Sequence, residues 1–441
     1  MGSGNRQAGN AGEIGTLTRR RWSSGSPHPI AVLNHGGHTE KSNELPFSVT
    51  SVVCKALHSR PSRVCVPLAL VAVLGLTPAA SPCQKSGGLF KDPDDGQFDV
   101  SEWLLTKKGF LAIPIIITEP AVGYGGGLAL AFFNQSLGER AGESNGRLTP
   151  PLIAVAAGFY TDDGSHGGAL GLFYPFRRDQ FRYLGALGAA SLNLDFYGFD
   201  PDGPLANNPV GYTLDPRFVV QRLQARLKRT DLFVGAHYLY LHTKSTFDVE
   251  LPVDIPERDL KLTMSGLGAS LEYDTRDNLL DARRGMDITA SGTWYDDAFG
   301  SDLTFARYQV QGLFYWQPPG RWGYGLRVDS RFSSADAPFF MKPFLSMRGL
   351  ASGQYSNDVT LLSEGELRFA LDPRWTLLGF GGAGRVGETL GDLGSAPTVG
   401  AGGVGFRYLI ARKLGLGSGV DFAFGPGWDF AFYIQTGSPW R

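Results

Sequence analysis

From Lys108 to the C-terminus the sequence repeats with a period of two residues, and this alternation constrains the fold more than any other feature. In LGASLEYD, Leu267, Ala269, Leu271 and Tyr273 share one side, while Gly268, Ser270, Glu272 and Asp274 share the other. In WGYGLRVDSRF, Trp322, Tyr324, Leu326, Val328 and Phe332 oppose Gly323, Gly325, Arg327, Asp329 and Arg331. Val219, Leu223, Ala225 and Leu227 likewise oppose Arg222, Gln224, Arg226 and Lys228, and Tyr308, Val310 and Phe314 oppose Arg307, Gln309 and Gln311. Successive side chains of a strand point to opposite faces of its sheet, so the pattern predicts an all-β chain of two-faced strands.

Two architectures share that pattern. A soluble sandwich buries the apolar face and wets the polar one. A transmembrane barrel turns the apolar face to lipid and the polar face to a lumen. Three observations favour the barrel. The polar face carries many full charges, which a wet lumen tolerates. Trp294, Tyr295, Trp316, Trp322, Trp375 and Trp428 crowd the strand ends, as in interfacial girdles. Val64 to Leu76 reads VCVPLALVAVLGL, too short to span a bilayer. Lys55, Arg60 and Arg63 precede this run and Pro78-Ala79-Ala80 follows it, the layout of a signal peptide cut near Ala80. The expectation is therefore a transmembrane antiparallel β-barrel of about sixteen strands in a Gram-negative outer membrane. Closure would remove the exposed edges. The long connections at 195–215, 244–260 and 335–357 would be extracellular and the short turns periplasmic.

The domain reading is a leader or over-extended start over 1–63, a signal core and cleavage region over 64–80, a short periplasmic segment over 81–107, and the barrel over 108–441. No methionine lies between Met1 and Met264, so a start near residues 52–57 would need a non-Met codon; the other reading is a long disordered leader. The cysteines, Cys54, Cys65 and Cys83, all precede residue 84, which leaves the barrel without disulfides or thiol chemistry. Lipidation of Cys83 fits poorly after Pro82. A net charge of -1 gives no basic surface for nucleic acid. Asp92-Pro93-Asp94-Asp95-Gly96 reads as a turn: its glycine falls one place early for a calcium loop, and no glutamate follows at the required distance. Asp99 to Leu105 reads as one helical turn capped by Asp99 or Ser101.

One connection breaks the alternation. FLSMRGLASGQY, Phe344 to Tyr355, carries Arg348 followed at once by Gly349. An arginine fork suits bidentate pairing with carboxylates, and a glycine permits a sharp turn or a close approach to a wall.

SMRGLASGQY resembles the Arg-Gly loop of the outer-membrane assembly-factor superfamily, the BamA/TamA or bacterial surface antigen family. YDTRDNLLDARRGMDITASGTWY is similar to its Asp-x-Arg-Asp segment, here Asp274, Arg276 and Asp277, followed by Gly285 at the start of the next strand. SEGELRFAL resembles its Glu-x-Arg strand, LLGFGGAGRVG the glycine-rich strand after it, and IPIIITEPAVGYGGGLALAFF its first hairpin. Together these cover nearly all of 108–441 in the family's order.

The resemblance implies that the loop after the eleventh strand folds into the lumen and that its arginine meets acids on the following strands. Glu366 is the preferred partner of Arg348 and Glu364 the second. Where the family often carries Phe-x-Asp-x-Gly, this chain has Phe380, Gly382 and Gly384, which removes one acidic partner. No room for a POTRA domain exists between Ala80 and Lys108, so a barrel-only member without POTRA-mediated partners is expected.

The resemblance implies a role in inserting or translocating polypeptide, with outer-membrane lipid around the barrel and unfolded outer-membrane polypeptides as clients. Its first and last strands would form a weak seam, softened by Gly123, Gly125, Gly126 and Gly127. The alternatives are a passive or plugged pore and, less favoured, a lipid hydrolase. His-Glu-x-x-His does not occur, and His237 and His242 are placed to face opposite ways on a strand, so no enzyme, metal or cofactor is expected.

Overall fold

The computed structural model describes residues 90–106, 109–134, 152–177, 179–200, 203–228, 230–247, 261–438 and 440. All of these fall in one compact unit, Pro82–Arg441. The expected leader, signal core and cleavage region lie outside the described residues.

After a short helix, α1 (Ser101–Thr106), seventeen strands follow among the described residues. The first five are β1 (Gly109–Ile117), β2 (Gly125–Phe133), β3 (Ile153–Thr161), β4 (His166–Phe176) and β5 (Phe181–Phe196). Next come β6 (Val210–Leu214), β7 (Arg217–Arg226), β8 (Leu232–Phe247), β9 (Lys261–Asp274), β10 (Gly285–Tyr295) and β11 (Phe305–Trp316). The last six are β12 (Trp322–Ser333), β13 (Val359–Ala370), β14 (Trp375–Gly387), β15 (Val399–Ala411), β16 (Leu416–Phe424) and β17 (Phe430–Thr436).

Every pairing is antiparallel, and neighbours in sequence are neighbours in the sheet with one exception. The lower part of β5 pairs with β7, while β6 pairs with the outer ends of β5 and β8. β5 and β8 have 16 residues each, more than the ~9–11 that cross a bilayer. Their surplus projects past the wall as a three-stranded ribbon with β6. Sixteen strands thus form the wall, and the expected loop at 195–215 contains a strand.

Which face is exposed separates the two architectures. Along β12, Trp322, Tyr324 and Leu326 are exposed, while Gly323, Gly325, Arg327 and Asp329 are buried. Along β9, Leu267, Ala269, Leu271 and Tyr273 are exposed, and Ser270, Glu272 and Asp274 are buried. A soluble sandwich would show the reverse. Apolar surface outward and charge inward is the inside-out order of a barrel in lipid. Trp294, Trp316, Trp322, Trp375 and Trp428 are exposed as girdle residues should be. Tyr295 is not: it is 2% exposed and stacks on Phe305 with ring centres 4.2 Å apart. It sits one residue past Trp294, on the opposite phase, so it must face inward.

Candidate functional site

The connection between β12 and β13, residues 334–358, follows the eleventh wall strand and has two halves. The first rests on the ribbon. Phe339 packs edge-on against Phe196 and Tyr212, with ring centres 5.4 and 5.3 Å away, in a cluster with Leu205 and Phe247. The second half lies against the inner wall. Leu345, Met347 and Leu350 are each at most 5% exposed and pack on Leu362, Val386 and Val399. Two glycines of β14 leave the space. A Cβ on Gly382 would sit 2.5 Å from Met347 Sδ, and one on Gly384 would sit 2.7 Å from Leu345 Cδ2. Gly382 is therefore the seat of a loop methionine.

Arg348 is 7% exposed and meets three carboxylates. Its Nε donates to Glu364 Oε1 at 2.8 Å, and its Nη1 donates to Asp421 Oδ2 at 2.8 Å. Glu366 Oε2 lies 2.9 Å from Nη1, an ion-pair distance whose alignment falls short of a hydrogen bond. We rank Glu364 above Glu366 on that geometry. The guanidinium also covers the Phe380 ring at 3.7 Å, which explains an aromatic at that inward position. Gly349 has φ of 95°, a left-handed conformation suited to glycine, and its space is bounded by Ala401 and Phe424.

Asp421 was not anticipated. It is an acid on the inward phase of β16, between Val420 and Phe422, and that was the available signal. Arg407 holds it from the other side, with Nη1 at 2.5 Å and Nη2 at 2.9 Å. Glu366 in turn accepts from Arg368 Nε at 2.7 Å. The lock is thus a network in which Arg348, Arg368 and Arg407 hold three acids, while Arg327 donates to the Ser346 carbonyl of the loop at 2.8 Å and lies 3.8 Å from Glu364.

The loop also touches β17 and the turn between β1 and β2. Gly349 N–H donates to the Tyr433 hydroxyl on β17 at 3.0 Å. Ser352 donates from N and Oγ to Glu119 Oε1, in the β1–β2 turn, at 3.1 Å each. Tyr124 of that turn stacks on Phe432 of β17 with centres 5.8 Å apart. Among the described residues, β1 pairs with β2 and β17 with β16, and no ladder joins β1 to β17.

The Asp-x-Arg-Asp segment forms the turn from β9 to β10. Asp274, fully buried, accepts from Arg276 Nε at 3.0 Å, and Arg276 Nη2 reaches Asp287 at 2.8 Å. Asp277 Oδ1 accepts the backbone N–H groups of Arg283 and Arg284. Gly285 has φ of 95°, and a side chain there would collide with the Thr275 carbonyl. Asp274, Arg276, Asp277 and Gly285 build this turn, which meets the lock through Asp281 and Ala282, reached by Arg368 at 3.4 and 3.2 Å.

At the short-turn end the N-terminal segment grips the wall. Arg374, in the β13–β14 turn, is bonded by Asp92 at 2.5 Å, Asp95 at 2.7 Å and Asp99 at 2.5 Å. Arg412, in the β15–β16 turn, pairs with Asp92 and Asp94. Asp99 also accepts Ser101 N–H at 2.6 Å at the start of α1. The Arg374 hydrogen bond, foremost, holds the Asp95 carboxyl below its ordinary range. Burial pushes Asp99 up, and bonds from Ser101 and Arg374 outweigh it and leave it lowered. The acids that faintly suggested a calcium loop are spent on two guanidiniums. No cluster of acids, histidines and cysteines among the described residues is arranged to hold a metal. His237 and His242 bond different threonines, Thr293 and Thr263.

A cavity of about 990 Å³ remains in the lumen beside the loop, lined in part by Arg222, His237, Glu272, Gln309, Arg327 and Arg331.

No protein-family model and no curated protein matches the chain. Solved structures do. BamA from Haemophilus ducreyi lacking POTRA domains 1–3 aligns at a TM-score of 0.52 and 12% identity, over 75% of this chain and 70% of that one. CdiB from Escherichia coli aligns at 0.50 and 15% identity, over 74% of this chain and 61% of its own length. No helix among the described residues is long and apolar enough to cross a membrane. With lipid-facing leucines, a charged lumen and an inward loop, the chain has the outer-membrane β-barrel fold shared by BamA and CdiB.

Proposed function

We propose that this barrel sits in a Gram-negative outer membrane and inserts or translocates polypeptide there. The observation that carries the reading is the loop pinned inside by Arg348, whose neighbours Gly349 and Ser352 reach β17 and the β1–β2 turn. A loop in that place bridges β17 and the β1–β2 turn. Backbone groups left unpaired in a bilayer cost several kcal/mol each. A client strand that supplied those hydrogen bonds would therefore be favoured at an opened seam, by edge addition. The likeness to BamA and CdiB barrels supports the reading at the level of fold. Depletion of the protein in its host, followed by an outer-membrane proteome, tests it. Loss of other barrel proteins or of a defined exported polypeptide is expected; an unchanged proteome overturns it.

A plugged pore is the second reading, favoured by the arginine-bearing cavity of about 990 Å³. It expects steady conductance once the loop is removed and does not expect the proteome to change.

A further inference from the structure

Among the described residues after β17, Ser438 and Trp440 are buried on the inner side of the wall. Trp440 is 3% exposed and packs with Ala282, Leu313 and Tyr315. Gly325 of β12 makes the seat, since a Cβ there would lie 2.7 Å from the indole. Ser438 N–H donates to the Leu280 carbonyl at 3.0 Å, and its hydroxyl lies 2.9 Å from the Tyr315 hydroxyl. The indole N–H donates to Glu364 Oε2 at 2.9 Å.

Glu364 is the acid that loop and tail share. Its Oε1 accepts from Arg348 and its Oε2 from Trp440, and it is 1% exposed. The Arg348 guanidinium lies 5.8 Å from the Trp440 ring. A second route joins the same two segments. Glu366 lies beside Arg348 and accepts from Arg368, and Arg368 donates to the Ala282 carbonyl at 3.2 Å. Ala282 belongs to the turn whose Leu280 carbonyl holds Ser438.

We infer that the C-terminal tail is a second lumenal latch, coupled to the loop through the shared Glu364 carboxylate, so that loop and tail leave the lumen together. Releasing Arg348 strands a buried anion beside the indole. Releasing Trp440 opens the packed side of that anion to water and weakens its grip on the arginine. Either departure lowers the cost of the other. The inference does not rest on a polypeptide client, because it concerns the barrel alone.

The test uses the folded barrel in detergent with two separate readouts: protease nicking within 334–358, and carboxypeptidase trimming of the C-terminus followed by intact mass. Trp440→Phe keeps an aromatic ring in the seat and removes the N–H together with the second ring of the indole, so it is expected to fold with the tail loosened; it should speed loop nicking. Arg348→Ala should speed tail trimming. Couplings between two sites typically span about 5- to 150-fold, and changes in that range are expected in both directions. Arg374→Ala, which disturbs only the N-terminal clasp, should change neither rate. Faster nicking in Trp440→Phe with faster trimming in Arg348→Ala supports the latch. A wild-type nicking rate in Trp440→Phe, or a released loop with a still-protected tail in Arg348→Ala, overturns it.

Discussion

Replacing Arg348 by alanine would remove the cation on which three carboxylates converge, and the size of the effect follows from what each acid keeps. Glu366 retains Arg368 at 2.7 Å, and Asp421 retains Arg407 at 2.5 and 2.9 Å. Glu364 retains only the Trp440 N–H at 2.9 Å and a distant Arg327 at 3.8 Å. The substitution therefore strands about one buried charge. Breaking a buried pair in this way costs about 3–5 kcal/mol. The adjoining lumen cavity can admit water, which places the effect at the low end, about 3 kcal/mol. At 1.4 kcal/mol per tenfold, the released form of the loop should rise about 100-fold relative to the seated form. Limited proteolysis of the detergent-folded barrel reads this as a faster nick within residues 334–358, with the strands left intact. The folded band should also lose resistance to heating in SDS. Adding Glu364→Gln to Arg348→Ala should recover part of the loss, because a neutral amide does not need the cation. A nicking rate within about twofold of wild type would refute the lock, and a double variant no better than the single would refute the charge argument.

Gly382→Asp, which adds an acid near Arg348, should loosen the loop rather than tighten it, because its Cβ alone would meet Met347 Sδ at 2.5 Å; a rise in the heat-modification temperature would contradict this. Asp421→Asn should weaken the lock and leave Arg407 short of a charge partner, with loop nicking faster but less so than in Arg348→Ala. Deleting 335–357 should convert a silent barrel into one with steady conductance in planar bilayers if the loop plugs the lumen; silence after deletion would count against the pore reading. The N-terminal clasp should depend on pH. Asp95 and Asp99 are held below the ordinary carboxyl value of 3.8, so their contribution is full above that value and is lost as pH falls through the lower folded values. Hydrogen exchange over residues 91–106 should stay protected from neutral pH down to about 4 and open below it; opening that begins near pH 6 would argue against these carboxylates.

The wall was legible residue by residue. The alternation in LGASLEYD and WGYGLRVDSRF is a local property, since each side chain's face depends only on its own strand. Which side met lipid could also be argued, because full charges on one face are tolerable only if that face is wet. Arg348 and its glutamates were singled out by the family resemblance, with Glu366 ranked ahead of Glu364; alternation added only that the two acids share a phase with Arg368. The ribbon was less so: β6 is five residues long and pairs outside the wall, so no periodic signal set it apart from a loop.

Three features depended on tertiary structure. Asp421 reaches Arg348 across 73 residues of chain, Trp440 reaches Glu364 across 76, and the Asp92–Asp99 segment meets Arg374 across about 280. Alternation places a residue on the inner face, but it does not say which residue of another strand stands opposite. That depends on how the strands tilt, stagger and curve together, which is a property of the whole sheet. The sequence by itself therefore determined a lipid-facing wall with a charged interior and an arginine loop, while the curvature of the assembled sheet decided which charges meet.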